Sequence, residues 1–170
     1  MPEEMLEIID DNENVIGLAP RKDFHDPKRK EKLLHRAVHV IVIDVATGKI
    51  WAQKRSEKMD LYPETWEGGV GGHVDPGETP EQAALRECEE EFGLKPNVIF
   101  FLGKYFYEDE FQRQLNYVFW FKTKEKPRLS PEAAKQELMS VKDFEKLISE
   151  GKTPPDWKND FEIAREKKLF

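Results

Sequence analysis

Residues 72–94 read Gly-His-Val-Asp-Pro-Gly-Glu-Thr-Pro-Glu-Gln-Ala-Ala-Leu-Arg-Glu-Cys-Glu-Glu-Glu-Phe-Gly-Leu, a glycine-rich turn that leads into a short helix. Thr79 is a natural N-cap, and Pro80 suits the first helical turn. Gly93 is a natural C-cap, so the predicted helix covers about 80–91. The second half of this helix is crowded with carboxylates.

Three of these carboxylates belong to Glu87, Glu90 and Glu91, which are three or four residues apart. This spacing predicts that they point to one side of the helix, with the pair Glu87 and Glu91 most nearly in register. Carboxylates so close together repel each other unless a cation lies among them, and hard oxygen ligands favour Mg²⁺ or Mn²⁺. An acidic run is more often a solvated helix face. The glycines before the helix and Arg86 within it favour the metal site here.

The spacing of the fixed residues resembles the Nudix box, a loop–helix–loop that binds the pyrophosphate of a nucleoside diphosphate linked to another group. Gly72 is followed after five residues by Glu78, and after seven more by the run Arg86–Leu94. Cys88 is the one departure, since the family usually has an aliphatic residue there. The resemblance implies an α/β/α sandwich with a mixed β-sheet between helices. Strands and helices that alternate along one chain of this length favour the same α/β class.

The resemblance also implies roles for individual residues. It implies Glu87, Glu90, Glu91 and the backbone carbonyl of Gly71 as metal ligands, Glu87, Glu90 and Arg86 as catalytic residues, and Glu78 and Gly93 as structural braces of the box. The guanidinium of Arg86 can hold Glu87 or Glu78 in a bidentate ion pair, so we expect it to orient a carboxylate rather than to touch the substrate.

The phosphates need their own binding groups. Gly72 lets the main chain approach a ligand closely, and His73 follows it directly. A lone histidine is more often structural, but its place in this loop favours contact with phosphate or metal. Arg55 and Lys58 are basic, so we expect them to be further residues that bind the phosphates of the substrate.

The general base stays open at this level. Some members of the family use a glutamate of the box, and others use one from a later loop. The later candidates in this chain are Glu108, Glu110, Glu132 and Glu137. Any one of them, taken alone, is more often a surface charge than a catalytic group.

Composition narrows the classes of function. The chain has 170 residues and a formal net charge of −7. This length suits one domain, predicted over residues 1–170 with an N-terminal hairpin at about 5–18. Proteins that bind the backbone of extended nucleic acid are usually basic, so that class is not expected. An acidic protein can still bind a small-molecule diphosphate when a metal ion bridges the like charges.

The single cysteine, Cys88, excludes an internal disulfide. At helical spacing it should face the sheet as a small core residue. No apolar run approaches the roughly 20 residues that cross a bilayer, and the acidic N-terminus is unlike a signal peptide. We therefore expect no membrane partner and a cytoplasmic location. Relatives often form homodimers, but no dimer seam is visible in the sequence.

Hydrophobic pattern and turn residues predict the remaining elements. The predicted strands cover 5–9, 14–18, 37–44, 50–55, 98–107 and 115–122, and helices are predicted at 130–139, 142–150 and 156–168, with a loop at 60–69 and a loop with a short helix at 21–36.

The residues outside the box resemble a narrower relative, isopentenyl-diphosphate isomerase. Its frame is matched by Leu34-His35-Arg36-Ala37, Gln53-Lys54-Arg55-Ser56, Lys58, Pro63 and Trp66. That enzyme has a catalytic cysteine two residues before a metal-binding histidine. Here the histidine position is His73 and the cysteine position is Gly71, which has no group to exchange a proton with an alkene. The later glutamate pair aligns with Gln112 and Gln114, and a neutral amide is neither acid nor base.

The leading expectation is therefore Mg²⁺- or Mn²⁺-dependent hydrolysis of the pyrophosphate bond in a nucleoside diphosphate derivative or a related organic pyrophosphate. The same frame outside the box also occurs in a branch of Nudix hydrolases. The alternatives are an isomerase-like enzyme and a catalytically silent nucleotide-binding module, although silent modules typically lose box carboxylates and none is lost here.

Overall fold

The structure, a computed structural model, describes residues 2–170. The strands are β1 (Met5–Ile9), β2 (Val15–Pro20), β3 (Leu34–Asp44), β4 (Ile50–Arg55), β5 (Trp66–Glu67), β6 (Gly69–His73), β7 (Phe100–Glu108), β8 (Arg113–Thr123) and β9 (Ala133–Met139). The α-helices are α1 (Arg21–Phe24), α2 (Pro80–Glu87), α3 (Val141–Ser149) and α4 (Trp157–Glu166), and α2 continues as a π-helical turn, Cys88–Phe92.

Strand β3 is the centre of a seven-stranded mixed sheet. It runs parallel to β8 along its whole length and antiparallel to β6, with Val38 opposite Gly72 and His39 opposite Gly71. The β-branched residues of β3 favour an extended backbone. This pairing brings the glycine-rich strand β6 next to the middle of the sheet, where its main chain is held firmly.

The two faces of β3 pack against different helices because side chains alternate along a strand. Val38, Val40 and Val42 join a core with α2 and the π-helical turn, in which Cys88 is fully buried. Ile41 and Ile43 join a second core with α3 and α4 on the other face. Helices on both faces of a mixed sheet confirm the predicted α/β sandwich.

The predicted helix at 130–139 is wrong, because residues 133–139 form the strand β9. Alanine, lysine, glutamine and glutamate favour a helix locally. In the folded chain this segment instead pairs antiparallel with β4, from Ile50 opposite Met139 to Lys54 opposite Lys135. Ladder pairing at the edge of the sheet therefore overrides the helix propensity of the segment.

Two other boundaries differ from those predicted. Residues 34–36 are the start of β3 rather than part of a helical segment, and the short helix α1 comes earlier, at Arg21–Phe24. The predicted loop at 60–69 contains the short strand β5 and the start of β6.

The N-terminal hairpin of β1 and β2 forms a separate two-stranded sheet. It packs Leu6 and Ala19 around Phe24 of α1. Its acidic side chains reach the loop before α2, where Glu7 accepts a hydrogen bond of 3.0 Å from the backbone N–H of Gly77. Among residues 2–170, none of the helices is long and apolar enough to traverse a bilayer.

Candidate active site

A cavity of about 560 Å³ opens between the loop before α2, the loop after β4 and the start of α4. This volume lies within the range of small-molecule pockets. The residues singled out from the sequence that line it are Arg55, Lys58, Gly71, Gly72, His73, Arg86, Glu87, Glu90, Gln112, Gln114 and Glu132. The fold thus gathers residues from distant segments around one space.

Two carboxylates from the end of α2 face the glycines of β6. Glu91 is only 9 % exposed, and its Oε1 accepts a hydrogen bond of 3.2 Å from the backbone N–H of Gly71. Its Oε2 accepts a hydrogen bond from Nε2 of Gln53. Glu87 lies one turn earlier, close to Gly72. The π-helical turn follows Glu87 directly, and such turns occur frequently at functional sites.

Glu67 is a third buried carboxylate at this site, and it was not singled out from the sequence. It ends β5, and its Oε2 lies 3.3 Å from the amide Nε2 of Gln53, which also contacts Glu91. Its Oε1 pairs with Nη1 of Arg55 at 2.6 Å. Its place immediately before the glycine run is the only signal in the sequence that points to it.

The electrostatics of this carboxylate group call for a cation. Burial raises the pKa of Glu87 to about 7, although the charge of Arg86 opposes the shift. Burial raises the pKa of Glu91 well above its usual range, and repulsion from Glu67 and Glu87 adds to this shift. A divalent cation stabilises the ionised forms. The donor set, carboxylates beside the Gly71 carbonyl, is of the hard oxygen type that fits Mg²⁺ or Mn²⁺.

Arg86 ties the box loop to the helix. Its Nε and Nη2 hold the two oxygens of Glu78 at 3.0 Å each, and its Nη1 lies 2.6 Å from Oε1 of Glu87. Nη2 also donates to the backbone carbonyl of His73 at 2.9 Å. Arg86 therefore contacts Glu87, Glu78 and the backbone of the box loop at the same time. The Glu90 carboxylate also lies 3.2 Å from Nη1, but it is largely exposed.

The glycines of β6 leave no room for side chains. A Cβ on Gly72 would overlap the carboxylate of Glu87, and a Cβ on Gly71 would lie 2.9 Å from Cδ2 of His39. After the helix, Gly93 adopts the left-handed conformation, with φ of 67°, and ends the π-helical turn. The backbone at 71 and 72 can therefore approach both the carboxylates and a ligand.

The basic residues that line the cavity differ in whether a carboxylate of the protein already pairs with them. Arg55 forms an ion pair with Glu67, and its Nη2 donates a hydrogen bond of 3.0 Å to the backbone carbonyl of Leu61. Arg21 also lines the cavity and pairs with Asp60 through two hydrogen bonds of 2.7 and 3.1 Å. Lys58 is exposed and, within residues 2–170, forms no ion pair with a carboxylate. It is the cation most available to a phosphate.

A family model described as NUDIX domain matches residues 33–164. The chain belongs to the Nudix family. An uncharacterized Nudix hydrolase of Yersinia pestis is 35% identical over 107 residues, which are 63% of this chain and 56% of that protein. An isopentenyl-diphosphate Delta-isomerase of Streptomyces avermitilis is 35% identical over 95 residues, 56% of this chain and 46% of that protein. The chain spans about half the length of the curated relatives it matches.

Solved structures show the same fold. The crystal structure of DR0079 from Deinococcus radiodurans has a TM-score of 0.77 and 22% identity, and the match covers 95% of this chain and 98% of that one. The NUDIX domain of Shewanella oneidensis NrtR, solved with ADP ribose, has a TM-score of 0.63 and 20% identity, and the match covers 84% and 93% of the two chains.

The floor of the cavity in this Nudix protein carries a buried polar group. Nδ1 of His39 lies 2.6 Å from Oδ2 of Asp160, and its ring stacks on Trp157. Burial lowers the pKa of His39, but the carboxylates of Asp160 and Asp156 outweigh burial and raise it to about 9. Burial raises the pKa of Asp156 to about 6, against the opposing charge of His39.

A second cluster lies beside the Nudix box and consists of His25, His35 and His73. One ring nitrogen from each histidine lies within 4.8 Å of those of the other two. Both nitrogens of His25 and of His35 are buried without a hydrogen-bond partner in the protein. Burial lowers the pKa of His25 to about 4 and holds that of His35 well below its usual range. Neutral imidazoles so arranged could hold a transition metal.

Sequence reasoning missed most of these floor and cluster residues. The sequence indicated a site role only for His73, because it follows Gly72. His35 was part of the isomerase-like frame without a role of its own, and His25, His39 and Asp156 had no local motif. One signal was available: the chain has four histidines, and all of them belong to the cavity wall or to the cluster beside it.

Proposed function

We propose that this Nudix protein hydrolyses the pyrophosphate bond of a nucleoside diphosphate derivative or a related organic pyrophosphate, with Mg²⁺ or Mn²⁺ as cofactor. The observation that carries the proposal is the group formed by the buried carboxylates of Glu67 and Glu91 and the half-buried carboxylate of Glu87, beside the main chain of Gly71 at the edge of a cavity of about 560 Å³. Relatives named Nudix hydrolase support the reaction type.

Each part of the site has a task in this reaction. Glu87, Glu91 and the Gly71 carbonyl would hold the metal ion, with Glu67 and Glu90 nearby. The ion would neutralise phosphate oxygens and lower the pKa of a bound water. Arg86 fixes the position of Glu87, with which it pairs at 2.6 Å. Lys58 and the main chain at Gly72 would contact the phosphates.

Glu132 is our choice for the general base. Of the four later glutamates, it is the one that lines the cavity, and its charge acts on Glu87. In the proposed step the oxygen of a water bonds to one phosphorus, and the bridging P–O bond breaks. The proton released by the water passes to the Glu132 carboxylate. Glu87, whose pKa burial raises to about 7, is the alternative base within the box.

The isomerase alternative is opposed by the packing of the site. The position of the isomerase cysteine is Gly71, where a Cβ would lie only 2.9 Å from Cδ2 of His39, so a cysteine there would need His39 to shift. The amides of Gln112 and Gln114 line the cavity where the isomerase resemblance requires carboxylates. Incubation with isopentenyl diphosphate should therefore yield no dimethylallyl diphosphate, and its appearance would establish the isomerase instead.

The test of the proposal is a screen of the purified protein with Mg²⁺ or Mn²⁺ against nucleotide sugars, dinucleoside polyphosphates, ADP-ribose, NADH, coenzyme A and nucleoside triphosphates. Glu91→Gln should lower the rate on any substrate found by about a hundredfold or more, since it removes a charged metal ligand. Glu89→Gln is the matched control, because Glu89 on the same turn is exposed and pairs with Lys95. Full Mg²⁺-dependent activity in Glu91→Gln would refute the metal assignment.

A broad panel that gives binding but no phosphorylated product would favour the silent nucleotide-binding module. A cytoplasmic location and a homodimer remain predictions for the same protein. Size-exclusion chromatography with light scattering would decide the second.

A further inference from the structure

Asp156 has an unused acceptor at the floor of the cavity. The residue is 3 % exposed and lines the cavity, and its Oδ1 has no hydrogen-bond partner in the protein. Its Oδ2, by contrast, accepts two hydrogen bonds, one from Nε2 of Gln114 at 2.8 Å and one from Nδ2 of Asn116 at 3.3 Å. An unpaired buried carboxylate oxygen is costly, so native proteins usually give it a partner.

The second aspartate of the floor provides the contrast. Asp160 is fully buried, does not line the cavity, and has partners on both oxygens: His39 on Oδ2 and the hydroxyl of Tyr105 on Oδ1 at 2.7 Å. Both oxygens of Asp160 are therefore paired within the protein, which indicates a structural role. Asp156 has one oxygen left over, and it belongs to a residue that lines the cavity.

Asp156 lies one imidazole ring away from the metal site. Nε2 of His39 is 3.7 Å from Oδ2 of Asp156, and Cδ2 and Nε2 of the same ring are the side-chain atoms nearest to a Cβ placed on Gly71, at 2.9 and 3.5 Å. A diphosphate bound at Gly71 and Glu87 would thus extend its organic part over His39 towards Asp156.

We infer that Asp156 binds an N–H donor on the organic part of the substrate, and that this part is a nucleobase with an amino group. The inference rests on the proposed function for the diphosphate itself. The surrounding wall contains the half-buried Leu61 and Tyr62, and their apolar surfaces, one of them a flat ring, suit a planar heterocycle. A nucleobase offers such a plane with N–H donors on its edge, whereas an isoprenoid chain has no donor to pair with Asp156.

The experiment compares substrates that differ by one amino group. Adenosine and cytidine diphosphates are each measured against the analogue in which hydrogen replaces the amino group. The wild-type protein should prefer the amino compound by about tenfold to a hundredfold in kcat/KM, because the analogue leaves the acceptor unpaired. The difference should appear mainly in KM. 2′-Deoxyadenosine diphosphate tests whether a ribose hydroxyl is the donor instead.

In Asp156→Asn the donors of Gln114 and Asn116 should hold the amide oxygen at the Oδ2 position, so that an NH2 donor replaces the free Oδ1 acceptor. The two members of each pair should then come to within about twofold. Asp160→Asn is the matched control: it should lower thermal stability and leave the preference for the amino compound in place. The inference is overturned if wild-type protein shows no preference, if Asp156→Asn keeps it, or if the preference follows the ribose hydroxyl.

Failure of the proposed function gives a different result. If no diphosphate is hydrolysed with either metal, the same four nucleotides are compared by their effect on the thermal unfolding of wild-type protein and Asp156→Asn. A stronger stabilisation by the amino compounds in wild-type protein alone supports the role of Asp156 without turnover, and equal stabilisation in both proteins refutes it.

Discussion

Glu132 shows how one residue can enter the site from a segment with no motif. It directly precedes β9, and it lines the cavity together with Glu87. If it is the general base, Glu132→Gln should lower kcat by about a hundredfold or more and leave KM nearly unchanged, since proton transfer contributes roughly that factor. The measurement is steady-state kinetics on the substrate found in the screen.

The control for that variant lies five residues further along the chain, within β9. Glu137 pairs with Lys135, away from the cavity, so Glu137→Gln should keep the wild-type rate. Retention of full activity by Glu132→Gln would move the role of base to Glu87.

Gly72 gives a second prediction at this scale. Because its Cβ would overlap the Glu87 carboxylate, Gly72→Ala should displace Glu87 and reduce activity by about a hundredfold, an effect comparable to loss of a metal ligand. Gly77→Ala is the control: a Cβ at position 77 meets nothing within 4 Å, although φ of 80° makes the backbone unfavourable for alanine. Circular dichroism would show that both variants fold, and similar activities in the two would contradict the steric argument.

Single residues also mark the limit of what the sequence reveals. Arg86 and Glu87 could be placed because short spacing on a helix determines their neighbours, and Glu78 because it lies just before the N-cap of the same helix. Glu67 and Asp156 could not be placed, because they meet the site only through pairing of β5 with β4 and docking of α4 against the sheet. Such long-range contacts leave no local pattern.

Helices and strands could likewise be predicted only where local contacts determine them. The box helix was predictable since Thr79 forms a capping box with Gln82, and Gly93 ends the π-helical turn by a local backbone conformation. The segment 133–139 was not, because its strand form depends on the ladder with β4. Local propensity decides an element only where no stronger pairing competes for it.

The histidine cluster joins three elements: His25 follows α1, His35 lies in β3 and His73 ends β6. We expect metal-free protein to bind Co²⁺ or Zn²⁺ there, since neutral imidazole suits these ions better than Mg²⁺. Co²⁺ should produce visible absorption, and Zn²⁺ should raise the melting temperature by several degrees.

The same measurements on His25→Gln and His35→Gln should show both effects lost, whereas His39→Gln, outside the cluster, should retain them. His25 is only partly buried, so His25→Gln should fold even if the change at the buried His35 causes unfolding. Unchanged Co²⁺ absorption in both variants would place the ion elsewhere.

Stability of the whole molecule should depend on pH through His39. Its pKa is raised to about 9 in the folded chain and is about 6.5 when unfolded. A raised pKa stabilises the fold below the unfolded value, and that contribution is lost as pH rises through the folded value. The contribution of His39 to the free energy of unfolding should therefore fall by about 3 kcal/mol between pH 6.5 and 9.

Urea denaturation of wild-type protein and His39→Gln across this range would check the prediction. Asp156, with a folded pKa of about 6, is ionised in both states above pH 7 and adds no slope there. Glu87, with a folded pKa of about 7, and Glu91, whose pKa burial raises well above its usual range, add a decline of the same sign in both proteins. The prediction therefore concerns the difference: His39→Gln should lack about 3 kcal/mol of the wild-type decline, and an equal decline in both proteins would assign all of it to other groups.

The contact between His39 and Gly71 also constrains how this chain could change its chemistry during evolution. A cysteine at position 71 would collide with an imidazole that Asp160 and Trp157 hold in place. Such a cysteine therefore needs His39 to shift, and replacement of His39 by a smaller residue would leave Asp160 without its charged partner. Either route from this Nudix site towards an isomerase thus lowers the stability of the chain on the way.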